Sequence, residues 1–212
     1  MNAIKSSYCG SVALAAALGL SVAACGGGSA VAQTPPAFAL SSPDLAGGTF
    51  SNQFVLNGLG CSGGNVSPEL RWSNVPAGTK SLALQVYDPD APTGSGLWHW
   101  TVYDIPATAN GLAQGAGNDA SKLPAGAFGG SNDFQDTGVN GGNGKYGGPC
   151  PPQGDQPHHY VFTLYALAVD RVNVAASIPA TGTPALFGFV LRKGLGPALL
   201  GTATLTATYA KP

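Results

Sequence analysis

Apolar and polar residues alternate in several short runs of the chain. Across residues 81–87 the side chains of Leu82, Leu84 and Val86 share one face, and Asp88 continues that alternation at the end of the run. A repeat of two residues is the pattern of a strand with one buried face. We therefore predict a strand here, with a carboxylate at its C-terminal end.

Other runs predict further strands and loops. Residues 98–105 alternate as a strand, which predicts two opposite faces: His99, Thr101 and Tyr103 on one, Trp100 and Val102 on the other. Residues 160–169 are apolar on both faces, as in a central buried strand. Further strands are predicted at residues 38–40, 49–56, 70–72 and 201–209. Residues 110–148 are rich in glycine, asparagine and aspartate and predict long loops.

One segment has the pattern of a helix. Thr183 can cap its first turn, Pro184 suits the first helical position, and Gly194 can end it. The apolar positions between them form a stripe with helical spacing: Leu186, Phe187, Val190 and Leu191. Together with the strands, this segment predicts a mainly β fold, with two packed sheets and one helix in the C-terminal region.

Composition supports this interpretation and excludes one class of partner. The 212 residues include 32 glycines and 17 prolines, which favour turns and short strands over long helices. Charged residues make up 9% of the chain and the formal net charge is −1, so no basic surface for nucleic acid is expected.

The N-terminal residues have the pattern of an export signal. Lys5 supplies a positive start, residues 8–20 are apolar, and small residues lead to Cys25. We predict a lipoprotein-type signal peptide at residues 1–24, with lipidation of Cys25 and a flexible tether at residues 25–37. The alternative is an ordinary secretory signal that is cleaved a few residues further on.

The predicted lipid determines the expected location. Acyl chains on Cys25 would hold the protein on a membrane, so we expect a protein anchored in the bacterial envelope and facing the periplasm, with the outer membrane as the expected site. Cys9 would leave with the signal peptide, and Cys61 and Cys150 would remain as an even pair in an oxidising compartment. We predict a disulfide between them, and the alternative is two free, buried thiols.

Two stretches concentrate the candidate chemistry. Residues 88–106 and 146–168 each combine a proline- and glycine-containing loop with a strand, and they contain all three histidines of the chain, His99, His158 and His159. We expect these two stretches to meet in space and to form one small polar pocket. His159 should point away from His158 on a strand and is therefore expected at the periphery.

The motifs in these stretches recur in the same order in a known family. They are D-P-D-A-P at residues 88–92, H-W at 99–100, G-P-C-P-P at 148–152, H-H-Y at 158–160, and C-S-G-G-N-V-S-P-E-L-R-W at 61–72. In these motifs the sequence resembles the phosphatidylethanolamine-binding protein family, in particular its bacterial branch, the YbhB/YbcL type. The resemblance covers most of the mature chain, so residues 38–212 are expected to form one domain of this family.

The resemblance implies a β-sandwich with an anion-binding pocket. Carried over by motif position, the residues expected to line the pocket are Asp88, Pro92, His99, Gly148, Pro151, Pro152, His158 and Tyr160. His159 stands where the family usually has arginine. The family's eukaryotic role as a kinase inhibitor is a poor expectation for this chain, which ends soon after its last strand.

The residue types suggest how such a pocket would work. His99 and His158 can offer N–H groups to an anion, Tyr160 can offer a hydroxyl, and backbone N–H groups of residues 148–152 could form a nest. Asp88 would accept from an imidazole and fix its tautomer. The expected ligand is phosphate, a phosphoethanolamine-like head group or a carboxylate, and no cofactor, metal or catalytic residue is expected.

Simpler or different interpretations remain open from the sequence. Asp88 and Asp90 could both cap a turn, and Trp98 and Trp100 could be core residues. The same loops could instead dock a partner protein, as in an interaction or inhibitor module. An unrecognised hydrolase is a third possibility, although Ser95 has the surroundings of a turn residue and no G-x-S-x-G motif is present.

Overall fold

The structure is a computed structural model, and it describes residues 36–135, 142 and 144–212. These residues belong to one compact unit that spans residues 36–212. The predicted signal peptide, Cys25 and the tether up to residue 35 lie outside the described residues.

The described elements are mostly short strands. The strands are β1 (Ala39–Ser41), β2 (Asn57–Gly58), β3 (Cys61–Ser62), β4 (Leu70–Ser73), β5 (Ser81–Asp88), β6 (Leu97–Pro106), β7 (Gly111–Leu112), β8 (Phe128–Gly129), β9 (His158–Leu167) and β10 (Leu199–Tyr209). The helices are α1 (Val172–Ala175) and α2 (Pro184–Phe189), and α2 continues into a π-helical turn (Val190–Gly194). Short 3-10 turns occur at Ala120–Lys122 and Gly196–Ala198.

Two sheets enclose the main core. The larger one has the antiparallel order β10-β9-β5-β6-β8, and the smaller one has the order β1-β4-β7, while β2 and β3 form a separate pair. Leu70 and Trp72 of the small sheet belong to the same buried cluster as Leu84 and Phe162 of the large sheet. The predicted mainly β fold with two packed sheets is therefore confirmed.

Helix α2 covers the opposite face of the large sheet. The Phe187 ring stacks on Tyr103, with 4.1 Å between ring centroids, within a second buried cluster. The helix begins as predicted, since the Thr183 hydroxyl accepts from the N–H of Leu186 at 3.2 Å and Pro184 occupies the first turn. The short helix α1 was not predicted, because no apolar stripe marks its four residues.

The predicted strand at residues 49–56 is wrong. Phe54 N–H donates to the Ser51 carbonyl at 3.1 Å, which is a turn bond, and within this segment the structure gives only Thr49 a β-bridge, to Thr208. The carbonyl of Val55 accepts from Asn65 N–H at 2.8 Å instead of from a neighbouring strand. The prediction rested on apolar content, but this segment forms turns that bury its apolar side chains without strand pairing.

A bulge in β6 changes the side on which His99 lies. Val86 pairs with Trp100 and Tyr87 pairs with Trp98, so His99 is an extra residue in the ladder. An extra residue interrupts the strict alternation of faces. The expectation that His99 lies opposite Trp100 is therefore wrong, and its ring instead contacts Tyr160 in the cluster that contains Trp100.

Candidate functional site

Four polar side chains converge where three strands of the large sheet end. Asp88 closes β5, which pairs with β9 on one side and β6 on the other. His158 and Tyr160 come from β9 and His99 from the bulge of β6, and all four residues are at most 4% exposed. Two stretches far apart in sequence thus contribute to a single buried cluster.

The Asp88 carboxylate does two things at once. Its Oδ2 lies 2.8 Å from Nδ1 of His158, and its Oδ1 accepts from the N–H groups of Asp90, at 2.8 Å, and Ala91, at 3.1 Å. Both roles considered for this residue, turn capping and orientation of an imidazole, are therefore present. An ionised carboxylate can accept hydrogen bonds but cannot donate them, so Asp88 fixes a proton of His158 on Nδ1.

His158 lies between two carboxylates. Its Nε2 is 3.4 Å from Oδ2 of Asp155, a residue on the exposed loop that precedes β9. Burial by itself favours the neutral ring. The hydrogen bond and charge of Asp88, together with a hydrogen bond to Asp155, nevertheless raise the pKa of His158 above its usual value. The raised pKa widens the pH range over which the ring is an imidazolium, and its second nitrogen faces Asp155.

His99 has the opposite character. Its Nδ1 is 2.9 Å from the Gly147 carbonyl, and its own carbonyl accepts from Gly147 N–H at 2.9 Å. A carbonyl can only accept, so Nδ1 carries the proton. Burial lowers the pKa of His99, which favours the neutral ring. Its Nε2 is therefore an acceptor rather than the expected N–H donor, and no described residue is its partner.

Tyr160 adds a hydroxyl to the same buried cluster. The His99 and Tyr160 rings meet edge to face, with centroids 5.0 Å apart. Burial, followed by the charge of Asp88, raises the pKa of Tyr160, so the hydroxyl keeps its proton. The hydroxyl oxygen is buried and lies near the Asp88 carboxylate, which contributes to the raised pKa, but no described residue pairs with it at hydrogen-bond geometry.

The loop at residues 148–152 does not form the expected nest. Gly148 N–H already donates to Oδ1 of Asn65 at 2.8 Å, and the prolines at 149, 151 and 152 have no N–H to offer. Cys150 is the one remaining residue of this loop that has a backbone N–H. The loop is also packed tightly, because a Cβ at Gly148 would lie 2.3 Å from the Phe54 carbonyl oxygen.

Asn65 holds this loop in place, and the sequence prediction missed it. Besides accepting from Gly148, its Nδ2 donates to the Tyr146 carbonyl at 3.2 Å, and the residue is buried. Its φ of 50° is in the left-handed region, which asparagine tolerates better than most residues. An asparagine after two glycines in C-S-G-G-N was the available signal.

A disulfide joins the same loop to β3. Cys61 and Cys150 are bonded with an S–S distance of 2.11 Å, which is the pairing predicted from the cysteine count. The closed loop spans 89 residues of sequence separation. The predicted prolines of the pocket differ in placement, since Pro151 is buried whereas Pro92 and Pro152 are exposed.

A second aspartate–histidine pair lies outside the buried cluster. Asp90 Oδ2 accepts from the backbone N–H of His159 at 2.7 Å and from its ring Nδ1 at 2.8 Å, which lowers the pKa of Asp90. Both side chains are more than 40% exposed, so His159 is peripheral. A surface cleft of about 330 Å³ is lined by Asp90 and residues 155–159.

Two further observations concern metals and membranes. Among residues 36–135, 142 and 144–212, no group of three or more histidine, cysteine, aspartate or glutamate side chains is arranged to hold a metal ion. The helices in the same part of the chain are too short or too polar to cross a bilayer.

Known proteins share both the sequence and the fold. Residues 41–210 match the family described as phosphatidylethanolamine-binding protein. The Escherichia coli protein YbcL is 46% identical over 175 residues, which cover 82% of this chain and 87% of YbcL. Mycobacterium tuberculosis LppC, whose name includes the word lipoprotein, is 39% identical over 150 residues, 70% of this chain and 62% of LppC.

Solved structures agree with these sequence matches. The crystal structure of Escherichia coli YbcL has a TM-score of 0.72 and 44% identity, and covers 82% of this chain and 99% of that one. A phosphatidylethanolamine-binding protein homolog from Chlamydia trachomatis has a TM-score of 0.61 and 28% identity, over 83% of this chain and 99% of that one. The two sheets, the match over residues 41–210 and the likeness to YbcL together show that the chain belongs to the phosphatidylethanolamine-binding protein family.

Proposed function

We propose that the protein binds a small oxyanion, such as phosphate or a phosphorylated head group, in the cluster of Asp88, His99, His158 and Tyr160. The observation that supports this proposal is a pair of buried polar atoms, His99 Nε2 and the Tyr160 hydroxyl. Neither has a described partner at hydrogen-bond geometry, although the hydroxyl lies near the Asp88 carboxylate. Buried polar atoms without partners cost free energy, and a ligand that supplies the missing hydrogen bonds removes that cost.

The charge near the cluster supports an anionic ligand. His158 favours its imidazolium form, and an imidazolium attracts an oxyanion in a low-dielectric site. Asp88, 2.8 Å from Nδ1, and Asp155, 3.4 Å from Nε2, limit this attraction because both carboxylates are paired with the same ring. We therefore expect weak binding that improves as the pH falls through the pKa of His158.

Isothermal titration with phosphate and with phosphoethanolamine tests this proposal. We expect Tyr160→Phe to weaken binding about tenfold, because one donated hydrogen bond to a charged ligand is lost. Tyr87→Phe is the matched control, since the Tyr87 hydroxyl donates to the Ser95 carbonyl at 2.7 Å in an exposed turn. The absence of heat at millimolar ligand, at pH 6 and pH 8 alike, would contradict the proposal.

The proposed role is binding rather than catalysis. Ser95, the serine nearest to His99 in sequence, is exposed in a turn where its N–H donates to the Thr93 hydroxyl at 3.2 Å. That position suits a turn residue rather than an activated nucleophile. Turnover of chromogenic phosphate or ester substrates, abolished by His99→Ala, would overturn this part of the proposal.

We also propose export and lipidation at Cys25, facing the periplasm. The support is the signal pattern that ends at Cys25 and the name of the relative LppC. Cys25→Ser should move the protein from the membrane fraction to the soluble fraction and remove the mass of the acyl chains. An unchanged membrane fraction would show that lipidation of Cys25 is not the anchor.

A further inference from the structure

His99 and Tyr160 together present one acceptor and one donor to whatever occupies the pocket. The Gly147 carbonyl, 2.9 Å from Nδ1, holds the His99 proton on that nitrogen. The lone pair of the neutral ring is therefore on Nε2, which is buried and has no described partner. The Tyr160 hydroxyl, on the ring in edge-to-face contact, keeps a proton to donate.

The surroundings of His99 do not favour a second proton. Its ring packs against Phe134, with centroids 5.3 Å apart, as well as against Tyr160. The charged groups that face it are Asp88 from β5 and Asp133 from the segment beside β6, and both favour protonation. Burial outweighs these charges and the hydrogen bonds to the Gly147 and Gly148 backbone, and Asp133 already accepts from the Trp98 N–H at 2.8 Å. The neutral acceptor state of Nε2 is thus the resting state.

The chemistry of the ligand follows from this pair. An oxygen without a proton would place its lone pairs against those of His99 Nε2, with no hydrogen bond between them. An oxygen that carries a proton donates to Nε2, while a second oxygen on the same centre accepts from Tyr160. Building on the proposed anion pocket, we propose that it prefers protonated oxyanions, of the hydrogen phosphate and phosphomonoester class, over sulfate and phosphodiesters.

Sulfate and phosphate provide a direct comparison, because they match in size and shape while only phosphate carries a proton near neutral pH. The full chain, solubilised in detergent, is titrated with each anion at pH 6.5, and with methyl phosphate against dimethyl phosphate. We expect phosphate to bind about 10- to 100-fold more tightly than sulfate, because a buried acceptor that is left unpaired is costly. Methyl phosphate should exceed dimethyl phosphate by a similar factor.

A variant can remove the preference. In His99→Gln the side-chain amide can rotate to offer N–H in place of Nε2, so the phosphate-to-sulfate affinity ratio should fall towards one. His159→Gln is the matched control, because that ring is exposed and bonded to Asp90, and its ratio should equal that of the wild type. Nitrogen-15 NMR of the His99 ring provides a readout that needs no ligand, and should show the proton on Nδ1 at pH 6.5.

Each outcome decides something. Equal affinity for phosphate and sulfate in the wild type overturns the proton requirement while leaving the anion pocket in place. A proton on Nε2 in the NMR spectra overturns the requirement as well. Absence of binding by all four probes overturns the proposed function, and the inference falls with it. Strong phosphate preference that His99→Gln removes and His159→Gln keeps supports the inference.

Discussion

Replacing Asp88 with asparagine should destabilise the protein much more in mild acid than in mild alkali. The introduced amide keeps an oxygen that can accept from the Asp90 and Ala91 N–H groups, which donate to Asp88 Oδ1 at 2.8 and 3.1 Å in the native chain. The variant loses the negative charge 2.8 Å from Nδ1 of His158. The substitution thus isolates the ion pair from the turn cap.

The expected magnitude follows from the burial of the pair. The two side chains are 3% and 5% exposed, and removing one partner of a buried ion pair costs about 3–5 kcal/mol. This loss should appear when His158 is charged. When the ring is neutral, an asparagine N–H can donate to Nδ1. The variant then exchanges a charge-assisted hydrogen bond for a neutral one, and the loss of unfolding free energy falls to about 1 kcal/mol.

The direction with pH comes from the raised pKa of His158. A group whose pKa is higher in the folded state than in the unfolded state stabilises the fold fully below its unfolded value, here near 6.5, and loses that contribution as the pH rises through the folded value. The wild type therefore holds the full contribution at pH 5.5 and has lost it well above the folded pKa. The effect of Asp88→Asn should shrink over the same interval.

Urea unfolding of both proteins at pH 5.5 and pH 8.5 measures the effect. Asp170→Asn is the control, because Asp170 is an exposed aspartate whose ion pair with Lys80, at 3.6 Å, should contribute less than about 1 kcal/mol at either pH. A loss of unfolding free energy that is equal at the two pH values for Asp88→Asn would refute the assignment of a charged His158.

Three further perturbations test the loop that borders the pocket. Asn65→Ala removes two buried hydrogen bonds and should cost about 2–4 kcal/mol of unfolding free energy, measured by urea unfolding against Asn52→Ala, whose side chain is exposed. Gly148→Ala places a Cβ 2.3 Å from a backbone oxygen and should lower the melting temperature, and an unchanged melting temperature would contradict the tight packing. Replacing Cys61 and Cys150 together by serine should cost about 4–5 kcal/mol, and dithiothreitol should then leave the urea midpoint of this variant unchanged.

The residues of the candidate site could be predicted because Asp88 and all three histidines lie in two stretches that were expected to meet in space. The pairing of β5 with both β6 and β9 places His99 and His158 beside Asp88, as the sequence predicted. Their chemical roles were not predictable. The His99 tautomer depends on the Gly147 carbonyl, and the second nitrogen of His158 faces Asp155, contacts that only the folded chain creates.

Local patterns in the sequence determined those features that depend on neighbours along the chain. The two-residue period of β5 reflects one buried face, and Thr183 and Pro184 mark the start of α2 because capping needs only adjacent residues. The Cys61–Cys150 pairing followed from counting. These properties require no knowledge of which strand lies next to which.

The tertiary structure alone decided what depends on register and on distant partners. The bulge that turns His99 towards Tyr160 arises from the pairing of β5 with β6, and strict alternation along β6 pointed the other way. The bond from Gly148 to Asn65 joins residues that are 83 positions apart. No local pattern encodes such a contact, because its energy depends on where the rest of the fold places each partner.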